Sequence, residues 1–217
     1  MTEAKPAGAG VEGTRVRALD AAEKLFIELG YEGTSIRAIA QAAQANLGSL
    51  VYHFATKERL LHEVCERRFA GVQARQAAAL RACLARLDAG EAVPLAEAVE
   101  AMVAPPLLAH QDEPEQQRRL RQLYGRVLTE PSQTVLDTAL VMFAETTNLF
   151  RTILRRLLGH LDEDEFYWRY TCAIGAFILA QSFGDRVAYA TGRPVPDDDP
   201  QEVVRKIVGF MVRGLEG

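Results

Sequence analysis

Residues 34–57 read TSIRAIAQAAQANLGSLVYHFATK. Ile36, Ile39, Ala40 and Ala43 recur at helical spacing and make one narrow apolar face, which predicts a short helix. Thr34 precedes that face as its expected N-cap, a place where a hydroxyl takes a backbone N–H that has no partner in the helix. A second short helix follows, with Asn46 as N-cap and a buried stripe of Leu47, Leu50, Val51 and Phe54. Gly48, Ser49, Tyr52 and His53 are then left pointing outward. Helices this short are marginal in water by themselves, because the helix nucleus is costly. They must cross each other and pack on a neighbour, which describes a helix-turn-helix.

The flanking sequence supplies the neighbours. Over residues 14–29, Val16, Leu19, Ala22, Phe26 and Leu29 form one stripe, widened by Leu25, and Gly30 ends the helix as its C′ residue. Residues 1–13 are rich in Gly, Ala and Pro and read as a disordered arm whose one basic residue is Lys5. Thr56 caps a long helix expected to reach about Leu87, a rod of roughly 45 Å that joins the small head to whatever follows.

Beyond Pro94 the pattern stays helical, with no strand-like alternation. A segment from Leu95 to His110 is expected to break at Pro105-Pro106, and Asp112 with Glu115 opens the next helix. A helix after Pro131-Ser132 carries two apolar stripes: Leu136, Leu140, Phe143, Thr147, Phe150, Leu154 and Leu157, and Val135, Met142, Leu149 and Ile153. It should lie centrally. Asp162 opens a helix expected to run to about Ala190, with a small-residue side of Ala173, Ala176, Ala180 and Gly184 suited to packing on another helix. Asp199, Pro200 and Glu202 start the last one. The fold class is therefore all-α, with about nine helices. It divides into an arm (1–13), a helix-turn-helix head (14–61) and a helical body (62–217).

The pattern T-S-I-R-x-I-A-x-x-A, a short link, then Y-H-F and T-K-E resembles the DNA-binding domain of the TetR family of one-component regulators. The variant N-L-G-S-L-V-Y-H-F is most similar to the PsrA-like branch, whose members often read N-L-x-x-V-N-Y-H-F. Three positions depart from the pattern: Gln44 stands where a turn glycine is usual, Leu47 where many members carry a polar or basic residue, and Val51 where Asn or Tyr is found. The resemblance implies a homodimeric repressor that binds a double-stranded, near-palindromic operator. It implies DNA contacts from Thr34, Ser35, Arg37, Asn46, Leu47, Gly48, Ser49, Tyr52, His53 and Lys57. Of these, Arg37, Tyr52, His53 and Lys57 would hold phosphates, and Leu47, Gly48 and Ser49 would face base edges. It also implies a small-molecule effector in the body, a fatty acid or acyl-CoA, with aromatic or cationic drug-like compounds as the alternative. Leu108, Tyr124, Met142, Phe143, Thr146, Thr147, Phe150, Trp168 and Phe177 are the candidate lining.

Composition sets bounds on this reading. The chain has 217 residues, 48% of them hydrophobic, and a net charge of -4, so any DNA affinity must come from a local surface. Within residues 14–60 six basic side chains face five acidic ones, which makes placement more important than total charge. Cys65, Cys83 and Cys172 are far apart and fit a reducing cytoplasm. No apolar run approaches the roughly 20 residues of a membrane span. His62, Cys65 and Glu66 have the spacing of metal ligands on one helix face, but no second ligand cluster accompanies them, and neither metal nor cofactor is expected. No phosphate loop or hydrolase elbow is present. The alternative reading is an all-α small-molecule binder or enzyme that keeps the head as a packing module. His110, Glu145 and Asp185 are its scattered titratable groups.

Overall fold

The computed structural model of the chain describes residues 7–182, 184–193 and 199–217. Ten helices are found among them: α1 (Ala7–Leu29), α2 (Ile36–Ala42), α3 (Leu47–Phe54), α4 (Lys57–Asp88), α5 (Leu95–Leu107), α6 (Pro114–Thr129), α7 (Gln133–Leu157), α8 (Glu163–Ser182), α9 (Gly184–Thr191) and α10 (Pro200–Glu216). The eighth expected helix, Asp162 to about Ala190, is described as α8 and α9, on either side of residue 183, which lies outside the described residues. The first helix begins at Ala7 rather than Thr14, so residues 7–13 of the expected arm are helical. Residues 1–6, including Lys5, lie outside the described residues.

Two apolar cores hold these helices. The first joins α1, α2 and α3 to the first half of α4 and continues into α6 and α7 through Leu120, Leu123, Tyr124, Val127 and Val135. The second gathers α5, α8 and α10 around Leu80 and Cys83 of α4 and Phe150, Ile153 and Leu154 of α7. Helix α4 runs through both, and its 32 residues span about 48 Å. Thr56 caps it as expected, its Oγ1 accepting from the Arg59 N–H at 3.1 Å.

The prolines of α5 do not break it. Pro105 and Pro106 occupy its last turn. A proline there lacks the N–H that would bond the carbonyl four residues back, which leaves Met102 O without its helical donor. The side chain of Gln76 takes that place: fully buried on α4, its Nε2 donates to Met102 O at 2.6 Å. A polar chain extends from it, with Gln73 Nε2 donating to Gln76 Oε1 and to the Tyr124 hydroxyl, each at 2.9 Å, and Thr146 Oγ1 donating to Gln73 Oε1 at 2.8 Å. Burial pushes the Tyr124 phenol above its ordinary pKa, so it stays a neutral partner.

Other expectations shift locally. Helix α6 starts at Pro114 with Glu113 in the cap position, one residue after the expected Asp112, because proline is well suited to the first helical position. Helix α7 is buried on one side along its length, through Val135, Ala139, Phe150, Ile153 and Leu154, but of the residues expected inside Leu136 and Leu140 stay exposed. In α1, Val16 and Leu29 are exposed and Ala18, Leu19, Ala22 and Phe26 form the buried face. On α8 the small-residue side is turned partly inward, with Ala173 buried, and the outer face carries Trp168 and Leu179 instead.

Replacing Gln76 with Leu leaves Met102 O buried without a donor, at an expected cost of about 1–3 kcal/mol. Urea unfolding measures it; a variant as stable as the parent would show that the proline-freed carbonyl has another partner.

Candidate nucleic-acid interface

The head is built from contacts that neither short helix could make alone. Ser35, not Thr34, caps α2: its Oγ accepts from the Ala38 N–H at 3.1 Å. Thr34 is buried and faces the other way, its hydroxyl lying 2.7 Å from Gly30 O and 3.2 Å from Leu25 O. That position stitches the end of α1 to the start of α2 and removes the Thr34 hydroxyl from any phosphate. The C-terminal end of α2 receives Arg17, whose Nε donates to Ala43 O at 3.1 Å. Gln44 follows with φ +50, its N–H donating to Gln41 O while the Ala45 N–H donates to Ala40 O. This is the reversal in which glycine is usual, here made by a residue with a side chain.

Asn46 caps α3, its Oδ1 accepting from the Gly48 N–H at 2.8 Å. Leu50 and Phe54 are buried, but Leu47 and Val51 are exposed, at 38% and 51%. The expected four-residue stripe is thus two residues wide, because α3 rests on its neighbours by one edge. Tyr52 is 85% exposed, with its ring 5.5 Å from that of His53 in an edge arrangement. Ser49 and His53 are half-buried and Gly48 is exposed. After α3 the chain turns in three residues: Ala55 has φ +57 and ψ -52, and the Thr56 N–H donates to Phe54 O at 2.6 Å.

Lys57 departs most from its expected role. Its ammonium donates to Tyr31 O at 2.9 Å and Thr34 O at 3.1 Å and sits 4.0 Å from the centre of the Tyr31 ring. It is a strut between the α1–α2 turn and the α4 start, with one of its three N–H donors left for a phosphate. Arg15 is likewise engaged by Glu63 at 2.7 Å, while Arg37 is exposed on α2.

The surface so formed carries Ser35, Arg37, Leu47, Gly48, Ser49, Val51, Tyr52 and His53 around α3, the second helix of a helix-turn-helix. In such a motif that helix is the one that enters the major groove. Residues 18–64 match the family model described as "Bacterial regulatory proteins, tetR family", and residues 100–214 match "Tetracyclin repressor-like, C-terminal domain". The chain belongs to the TetR family.

As a TetR-family protein it is a DNA-binding transcriptional regulator and not an enzyme. The chain is 44% identical over 55 residues to the HTH-type transcriptional repressor KstR2 of Rhodococcus jostii (strain RHA1). It is 36% identical over 64 residues to the HTH-type transcriptional regulator UidR of Escherichia coli (strain K12). The match covers 25% and 30% of this chain, and 27% and 29% of the length of those proteins. The fold is shared more widely. A tetR family transcription regulator from Shewanella sp. PV-4 superposes with TM-score 0.57 at 19% identity, over 91% of this chain and 95% of its own. HlyIIR, a hemolysin II transcriptional regulator, gives the same TM-score and identity over 92% and 97%.

The candidate effector residues of this TetR-family body are dispersed. Tyr124, Phe150, Phe177 and Thr146 lie in the cores. Leu108 and Met142 are half-buried. Trp168 is 63% exposed on the outer side of α8, away from any interior. Phe143 and Thr147 meet in an open groove of about 350 Å³ on the outer face of α7, lined also by Val127, Leu136, Leu140 and Asn148. Thr146, Thr147 and Asn148 therefore part company: the first is satisfied by Gln73 and Phe143 O, and the other two face the groove. His110 sits in the α5–α6 turn, its N–H donating to Gln117 Oε1 at 2.9 Å. Of the residues with metal-ligand spacing, Cys65 is buried, its thiol pushed up to about 12 chiefly by burial, while His62 and Glu66 are exposed. Sequence reasoning missed Val51 as a surface residue; the signal was the shortness of α3, whose two turns have room for only one buried edge.

Two substitutions separate scaffold from surface. Thr34→Val should lower stability by about 1 kcal/mol while leaving the salt dependence of DNA binding unchanged. Arg37→Ala should leave stability unchanged and reduce the slope of log affinity against log salt by about one. Thermal melts and salt titrations of a fluorescent duplex check both.

Proposed function

We propose that this TetR-family regulator is a homodimeric repressor, released from a near-palindromic operator by an apolar small molecule that binds the α7 groove. The observation that carries the proposal is the position of Phe143. Its ring lines the groove and lies 5.6 Å from Phe69 of α4 and 5.2 Å from Tyr124 of α6. A ligand that displaces Phe143 acts directly on the rod that ends in the DNA-binding head. Interiors packed like this respond by discrete rearrangement, not by soft compression.

None of the groove's lining residues is charged. A cationic drug would need a carboxylate there, so an apolar tail with a hydrogen-bonding head, met by Thr147 and Asn148, is the better fit. That chemistry agrees with the fatty-acyl effector implied by the PsrA-like motif. A fatty acid degradation regulator, FadR from Bacillus halodurans, superposes with TM-score 0.56 at 15% identity, a likeness of fold.

Trp168 and Leu179 on α8 and Phe210 on α10 are exposed and apolar. Helices α8 and α10 pack on each other, which presents these side chains as a face for a second copy. Such a dimer must hold its two recognition helices about 34–36 Å apart to reach successive major grooves. No described helix is long and apolar enough to cross a membrane, and a cytoplasmic location completes the reading.

A gel shift with DNA from upstream of the protein's own gene should give one complex, weakened by the small molecules that co-purify and are identified by mass spectrometry. Binding is reciprocal, so operator DNA should weaken ligand affinity by the same factor. Leu140→Arg should abolish the ligand response and preserve the shift. If ligand response survives a blocked groove, the effector site lies elsewhere; if no DNA is shifted, the alternative of a small-molecule binder with a vestigial head takes its place. Trp168→Glu should turn the dimer into a monomer in sedimentation; an unchanged dimer would exclude the α8–α10 face.

A further inference from the structure

The recognition helix of this protein presents an apolar pair to solvent. Leu47 and Val51 are 38% and 51% exposed, four residues apart and therefore on one side of α3. The buried residues that this helix gives the head core are Leu50 and Phe54, not these two. Beside them is the exposed Gly48, which has no side chain to hold the helix away from a partner. Ser49 is half-buried. The exposed part of α3 thus has a low, apolar flank, while Tyr52 on its outer side and Arg37 on α2 are able to engage the backbone.

Duplex DNA offers little to such a surface. Base edges in the major groove are hydrogen-bond donors and acceptors, and the one apolar group among them is the thymine methyl. From this pairing we infer that Leu47 and Val51 each read a thymine C5-methyl, so that every half-site contains two thymines set by the spacing of these two residues. Four residues of helix rise about 6 Å, and base pairs in a duplex are about 3.4 Å apart, so the two methyls lie about two base pairs apart. Arginine, lysine, asparagine and glutamine make the bidentate contacts to G and A; α3 has none of them inside its helical span Leu47–Phe54. Sequence preference at those two positions therefore comes from methyl contact, which discriminates thymine from cytosine and from uracil.

This inference rests on the DNA-binding reading and is tested so that the two can fail separately. Duplexes that bind the full chain are selected from a random 30-base-pair pool and remade with deoxyuridine replacing one thymidine at a time, a change that removes only the methyl. At about 0.8 kcal/mol for a buried methyl, each of the two sensitive thymines per half-site should lose about four-fold in affinity. Val51→Ala should bind more weakly and become insensitive to uridine at one position, and Leu47→Ala at the other. Both side chains are exposed, so melting temperatures should match the parent and exclude misfolding. The inference is overturned if uridine is tolerated at every position, or if both variants keep the parent's sensitivity pattern. A pool that yields no enriched duplex overturns the DNA-binding reading and this inference with it.

Discussion

The ammonium of Lys57, held between Tyr31 O and Thr34 O, fixes where the recognition helix stands. Helices of seven and eight residues have little stability of their own. Their position is instead set by what the longer helices hold in place. Lys57 ties the start of α4 to the turn before α2, and Thr34 ties that turn to the end of α1. Arg17 closes the far end of α2. The face turned to solvent can then vary in chemistry without altering the frame, which is why an unusual pair such as Leu47 and Val51 is tolerated there.

The head is also fastened to the body through side chains, not only through the continuous helix α4. Glu23 of α1 is buried and accepts from Arg67 and Arg68 of α4 at 2.8 and 2.7 Å. Arg68 reaches on to Gln116 of α6 at 2.7 Å. Arg126 of α6 donates to Ile27 O at 2.9 Å, where the negative end of the α1 dipole favours a cation. Glu130 accepts from the Tyr31 N–H at 3.2 Å and lies against Gly30, whose φ of +75 favours glycine and where a side chain would have to displace that carboxylate. A charge pair that is buried adds little net stability but is costly to break, so these contacts specify one arrangement of head on body.

The helix order and the chief caps were legible in the sequence because they depend on local chemistry: Asn46 and Thr56 cap the helices they precede, and Gly30 takes a positive φ at the end of α1. What was not legible depended on distant residues. Thr34 and Ser35 are both good caps, and only the packing of α1 decides that the first turns inward. Pro105-Pro106 read as a break, because the compensating donor, Gln76, lies some thirty positions earlier. Most of the residues that the motif implies for DNA contact are exposed around α3, except that Lys57 and Thr34 are drawn into the frame, while Val51, expected inside, is exposed. The candidate effector residues were the least legible, since an aromatic stock serves a core and a groove equally well; Phe143 and Phe150 leave nearly the same side of α7, and what packs over each stretch of the helix makes one line a groove and the other a core.

The three-residue turn at Ala55 joins α3 to α4 with a hydrogen bond across it and no slack. A joint this short cannot absorb motion by bending, so it works as a rigid coupling. Over a rod of about 48 Å, a swing of roughly five degrees carries one end about 4 Å, slightly more than the rise of one base pair. The head therefore arrives at the wrong rung of the duplex after a rotation small enough to leave every helix intact.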